Sequence, residues 1–170
     1  VYGCECAVCV SARTDHSKQR LPCCALLHVG SEQLLIDSGL TDLTQRFPSG
    51  TLTHILQTHY HADHVQGLFH LRWGVGEPIN VFGPPDSEGC ADLYKHPGIL
   101  RFAALKKFTA FTVGDLRITP LPLIHSKPTL GYAIEGPNGE RFAYLTDTLG
   151  LPPKTEAFLS HWGPFAMALD

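Results

Sequence analysis

The hydrophobic positions fall into short runs broken by Gly, Pro, Asn and Asp, and the spacing inside each run predicts its element. Residues 25–29 and 33–37 read as two strands turning at Gly30-Ser31, the second ended by Ser38-Gly39. A polar stretch from Thr41 predicts a short helix. Residues 53–58 (THILQT) form a β-rich run that feeds straight into HYHADH, after which Val65, Leu68 and Phe69 recur at helical spacing. The histidine cluster therefore belongs on a strand-to-helix loop. Residues 79–82 predict a strand ended by Gly83-Pro84-Pro85, and residues 87–95 a helix stopped at Pro97-Gly98. Four strand candidates follow, at 108–113, 116–124, 130–135 and 141–146, then a helix over 152–159 with Pro in its first turn. With no internal repeat or linker in the sequence, the pattern predicts one α/β domain over residues 1–170.

Composition narrows the function classes. A chain of 170 residues, 44% of them hydrophobic, can bury one substantial core. Charged residues make up 17% and the net charge is -3, which lacks the basic balance that grips nucleic-acid phosphates, so no polynucleotide partner is expected. No run approaches the roughly 18 apolar residues that span a bilayer, and no charged-then-apolar leader is seen. A soluble, cytoplasmic protein without a membrane partner is the expectation. The chain opens at Val1 and closes just after an apolar run, 165–169, that reads as an unfinished strand, so a fragment is expected. Ten histidines stand out, and six cysteines without a leader point to metal or free thiols rather than disulfides.

His59-Tyr60-His61-Ala62-Asp63-His64 packs four potential ligands into six residues at the mouth of a strand. Imidazoles two residues apart can point the same way from an extended loop, while Asp63 and His64 start the next helix, so two ligand pairs diverge toward two neighbouring points. Further ligands can come from His125 after Leu121-Pro122-Leu123-Ile124 and from Asp147 after Tyr144-Leu145-Thr146. Alone, His125 reads equally as a core histidine and Asp147 as a turn former; the upstream cluster raises both. A carboxylate can bridge two cations, which suits Asp147. Asp37, ending the run 34–36, is expected to orient a ligand histidine, with an ordinary turn role as the alternative. Ser126, Lys127 and Arg72 are candidate phosphate contacts. Cys4, Cys6 and Cys9 would supply three corners of a tetrahedral zinc, a redox pair being the alternative. Cys23, Cys24 and Cys90 read as buried thiols.

HYHADH, the later His125 and Asp147, and LLIDSG together resemble the metallo-β-lactamase superfamily. CECAVC, HADHVQGLFHLRWGVGEPI, VFGPPD, DLYKHPG, TPLPLIHSK and YLTDT resemble the phosphoribosyl cyclic phosphodiesterases of the carbon-phosphorus lyase pathway, the PhnP family, over nearly the whole chain. That resemblance implies an αββα sandwich, incomplete at both ends. It implies one ion (manganese or zinc) on His59, His61 and His125, a second on Asp63 and His64, Asp147 bridging them, and a structural zinc on Cys4, Cys6 and Cys9. It further implies a small phosphorylated sugar substrate, 5-phosphoribosyl 1,2-cyclic phosphate, opened to ribose 1,5-bisphosphate in phosphonate catabolism. A homodimer is compatible with it. The family supplies a last metal-binding histidine, an acid histidine and a fourth zinc ligand beyond the region of Asp170, so this chain as it stands is expected to be inactive. The rival readings are a transfer-RNA 3′-processing endonuclease of the same superfamily, a β-lactamase or thioesterase, and a zinc-stabilised module without catalysis.

Overall fold

The computed structural model of the protein describes residues 5–30 and 32–169, so Cys4, Ser31 and Asp170 lie outside the described residues. Among the described residues the helices are α1 (Ala7–Thr14), α2 (Leu43–Arg46), α3 (Ala62–Val65), α4 (Leu68–Leu71), α5 (Ala91–Lys95) and α6 (Pro153–Trp162). The strands are β1 (Ala25–Val29), β2 (Glu32–Ile36), β3 (His54–Leu56), β4 (Ile79–Gly83), β5 (Leu100–Ala104), β6 (Phe111–Val113), β7 (Leu116–Pro122), β8 (Leu130–Glu135), β9 (Arg141–Leu145) and β10 (Ala166–Leu169). They form two five-stranded sheets, ordered β1-β2-β3-β4-β5 and β10-β9-β8-β7-β6. In the first sheet β2 to β5 run parallel; in the second, β6 to β9 are antiparallel and β10 joins β9 in parallel.

Successive strand residues face opposite ways, and this sorts the apolar side chains into three layers. Leu34, Ile36 and Leu56 pack between the sheets against Ile118, Tyr132 and Ile134. Leu35, Ile55 and Val81 face the other way, beneath Leu43, Leu68, Leu71 and Leu93 of the helices. On the outer face of the second sheet, Leu121, Ala143 and Leu145 meet Leu159 of α6. The order is helices, sheet, sheet, helix: the αββα sandwich expected from the sequence. Among the described residues no helix is long and apolar enough to cross a membrane.

Parallel pairing of β2 with β3 brings their C-terminal ends to one edge of the sandwich, and there the chain abandons sheet geometry. Two glycines permit the crowding that follows. A Cβ on Gly39 would stand 1.9 Å from the Asp63 carbonyl oxygen, and one on Gly67 would stand 2.3 Å from that of Leu40. Both obstacles are backbone, so neither position accepts a side chain without displacing the histidine loop.

Candidate metal centre

The loop after β3 is stitched to its surroundings by main-chain hydrogen bonds. Ser38 N donates to His64 O at 2.8 Å, Gly67 N to Ser38 O at 2.7 Å and Cys23 N to Asp63 O at 3.0 Å. Beneath it Asp37 is fully buried and accepts from Gln57 Nε2 (2.8 Å), Thr58 N (2.8 Å), Thr58 Oγ1 (2.9 and 2.8 Å) and His64 Nδ1 (2.9 Å). The bond from His64 Nδ1 fixes that ring, so Nε2 points toward the carboxylates of Asp63 and Asp147, at 3.9 and 3.1 Å, donating toward them when protonated and offering its lone pair to a cation when neutral. Gln57 Nε2 also reaches the carbonyls of His59 (3.0 Å) and His64 (2.8 Å), tying both halves of the loop to Asp37.

His59, His61, His125 and Asp147 are brought together with one ligand atom each, all within 4.8 Å of one another. His61 Nδ1 lies 2.9 Å from His59 Nε2 and 3.1 Å from His125 Nε2. Asp147 Oδ2 stands 3.4 Å from His59 Nε2 and 3.7 Å from His125 Nε2. Three imidazole nitrogens so close cannot all be satisfied by one another, because each neutral ring has one proton and one lone pair. A cation resolves the conflict: nitrogens about 2.0–2.1 Å from a tetrahedral ion stand roughly 3–4 Å apart. The donor set fits a divalent metal.

The electrostatics divide the two halves of the loop. Burial, then the neighbouring His64, His61 and His125, push the His59 ring down to about 3, so it is neutral and its lone pair is available. Burial opposes charge on His64, yet its hydrogen bonds to Asp37 and Cys23, with the charges of both groups, together outweigh this and lift it to about 10, so without a cation the ring carries a proton. Burial pushes the Asp37 carboxyl up, against His64 and Thr58, which pull it down. Asp37 (φ 58°) and Asp147 (φ 57°) both adopt the left-handed backbone that L-residues avoid. Such strain gathers where surrounding structure fixes a functional side chain.

The remaining candidates divide. Ser126 Oγ lies 3.4 Å from His61 Nε2 and borders the cluster, while Lys127 Nζ faces Asp86 Oδ2 at 3.8 Å. Arg72, expected to contact phosphate, is engaged with other partners. Its guanidinium donates to Asp92 Oδ2 at 2.6 Å and stacks on Trp73 and Phe69, none of them members of the cluster. The bond to Asp92 ties the C-terminal end of α4 to α5. Cys6 caps α1, its Sγ accepting from Cys9 N at 3.4 Å, while Cys4 lies outside the described residues. Sequence reasoning missed Gln57 and Thr58, although a Gln closing an apolar strand was the available signal. Cys23, read as a buried free thiol, is a free and partly buried thiol that also reaches the site: its Sγ lies 3.2 Å from Tyr144 Oη and 3.7 Å from Asp37 Oδ2, and with Asp37 and His64 it forms a second candidate ligand group.

Comparison with known proteins adds the family. The β-lactamase superfamily domain matches residues 33–168. A ribonuclease Z from Methanopyrus kandleri is 31% identical over 130 residues, covering 71% of this chain and 46% of that protein. An octanoyltransferase from Porphyromonas gingivalis is 32% identical over 159 residues, covering 85% of this chain and 31% of that protein. The fold is similar to that of a diphosphatase from the PhnP family (TM-score 0.75, 24% identity, 94% of this chain and 63% of that one). It is also similar to zinc-bound PqqB from Methylobacterium extorquens (TM-score 0.77, 20% identity, 99% and 67%). The chain spans half or less of the curated relatives it matches.

The ribonuclease Z relatives overturn one expectation, that nucleic acid is excluded and the substrate is a small phosphorylated sugar. Net charge misled because it averages over the whole surface, whereas an anionic substrate responds to the local field, which bound cations can invert. With the family profile over most of its length and a histidine-carboxylate cluster at the edge of an αββα sandwich, the chain belongs to the β-lactamase superfamily and has the metallo-β-lactamase fold.

Proposed function

We propose that this chain carries a two-cation phosphodiesterase centre that cleaves a phosphodiester in an RNA chain. One observation supports it above all: Asp147 Oδ2 lies 3.1 Å from His64 Nε2, 3.4 Å from His59 Nε2 and 3.7 Å from His125 Nε2. A single carboxylate oxygen in reach of both halves of the loop suits a bridge between two ions. His59, His61 and His125 would hold one, Asp63 and His64 the other, with manganese or zinc as the metal. Bound there, the two ions would bring the pKa of a water toward neutrality and take up charge developing on the phosphoryl oxygens. The chain's own residues orient and shield. Asp37 fixes the His64 ring, Gln57 and Thr58 fix Asp37, and burial of His59 keeps its ring neutral. Hydrolysis adds water across the P–O bond, leaving a phosphomonoester on one fragment and a hydroxyl on the other.

The RNA substrate is supported by the ribonuclease Z relatives. Acyl transfer, the activity in the Porphyromonas protein's name, is less well supported, since one relative carries that name against several ribonucleases Z. A structural zinc on Cys4, Cys6 and Cys9 completes the proposal, supported by Cys6 and Cys9 standing together at the start of α1. The test is a panel offered to the metal-loaded protein of natural length: an RNA with a 3′ extension, bis(p-nitrophenyl) phosphate and a cyclic ribose phosphate. RNA cleavage that disappears on chelation is expected. Turnover that survives chelation, or cleavage of the cyclic ester with RNA untouched, would overturn the reading.

A further inference from the structure

Beside His125 the surface opens into a cavity of about 500 Å3, lined among others by Pro84, Pro85, Lys107, Ser126 and Lys127. Its size falls within the roughly 300–1,000 Å3 of small-ligand sites. Three separate segments build it: the exit from β4, the crossover between the two sheets, and the loop between β7 and β8. Two lysines line this cavity and no acidic residue does.

The two lysines are placed differently, Lys107 by its exposed position on an anchored turn and Lys127 by an ion pair. Lys107 precedes Phe108, whose backbone turns left-handed (φ 59°) and whose N donates to Pro120 O at 2.7 Å, so the turn is tied to β7. Lys127 faces Asp86, whose side chain is 7% exposed. Asp86 Oδ1 accepts from Glu88 N (3.0 Å) and Gly89 N (2.8 Å), while Oδ2 is buried without a hydrogen-bond partner, 3.8 Å from Lys127 Nζ. A buried carboxylate at that distance holds the ammonium by charge but leaves its N–H donors to another acceptor.

We infer that this cavity is a subsite for a second phosphate of the substrate, flanking the one that is cleaved, with Lys107 and Lys127 as its cationic walls. The inference rests on the proposed phosphodiesterase reading and names what that site recognises beyond the scissile bond. A flanking phosphate can come from the next diester of a polynucleotide or from a terminal phosphate ester. Two ammonium groups and the Ser126 hydroxyl, open to solvent beside His125, suit either.

The test compares binding of adenosine 5′-monophosphate, adenosine 3′,5′-bisphosphate and a 5′-phosphorylated dinucleotide to the metal-loaded protein by calorimetry. In the parent protein the second phosphate should tighten binding about tenfold, the size of one charge-assisted hydrogen bond at an accessible site. Lys107→Ala should erase that advantage and Lys107→Arg should retain it. An advantage with the bisphosphate alone identifies a terminal phosphate as the partner, and one with the dinucleotide identifies a flanking diester; both support the subsite. No advantage in the parent protein, or one that survives Lys107→Ala, overturns it. Loss of RNA turnover on every substrate with the Lys107-dependent advantage intact would sink the phosphodiesterase reading and leave the subsite standing.

Discussion

Two aspartates with positive φ frame the site, and each separates stability from function. A left-handed L-residue costs roughly 1–2 kcal/mol relative to glycine, so Asp147→Gly should be about 1 kcal/mol more stable than Asp147→Ala in urea denaturation of the metal-free protein, with both variants inactive. Asp37→Asn keeps the shape but weakens the acceptor for His64 Nδ1. Metal affinity is then expected to fall about 10–100-fold, measured by competition with a chromophoric chelator. The histidine cluster was legible in sequence because four ligands sit in six residues, and the distances among His59, His61 and His64 follow from that local spacing. Arg72 was not legible. Its partner Asp92 lies twenty positions away, and nothing local marks a guanidinium as already engaged. The reach of Cys23 into the site was missed for the same reason, its neighbours Asp37 and Tyr144 arriving from other strands.

At the scale of elements, the β2, β3 and α3 ends act as one unit held by close backbone approach. Gly39→Ala would drive a Cβ into the Asp63 carbonyl, so destabilisation of about 1–3 kcal/mol is expected by urea denaturation, with loss of bound metal. The buried imidazoles give the chelated protein a defined pH profile. The folded His59 ring resists protonation down to about 3, while the unfolded ring takes a proton near 6.5, so stability is lost as pH falls through that window. His64, held up to about 10, acts with the opposite sign: its contribution is whole below 6.5 and lost as pH rises toward 10. The melting temperature of the chelated protein should therefore peak near pH 6.5 and fall on both sides, as calorimetry would show. A flat profile would contradict the burial argument.

Strand β1, whose burial alternates, and β8, which is buried along nearly its whole length, were both read to the residue. β5 escaped because, at the end of its sheet and mostly exposed, it carries little apolar pattern. The helix expected from residue 87 starts only at Ala91, since Asp86 Oδ1 captures the amides of Glu88 and Gly89 in a turn. The strand expected from 108 starts at Phe111 because Phe108 is left-handed.

At the scale of the whole molecule, two facing sheets deliver ligands to one edge from segments far apart in sequence. Asp37 and the histidine loop come from the first sheet, and His125 and Asp147 from the second. Inter-sheet packing of Leu34, Ile36 and Leu56 against Tyr132 and Ile134 therefore sets the width of the site. The fold class was legible from the order of strands and helices, but the charge distribution was not: a net -3 hid the lysine-lined cavity beside His125. His61→Ala is expected to abolish phosphodiester hydrolysis with the melting temperature nearly unchanged, because the ring is partly exposed and belongs to no apolar cluster. The most direct test of the account is anomalous X-ray diffraction at the zinc edge from crystals of the zinc-loaded protein. The account predicts two peaks at the histidine cluster, about 3.5–4 Å apart, one on either side of the Asp147 carboxylate. A single peak at the cluster, or none there, would contradict it, whereas a further peak at the proposed cysteine site would not.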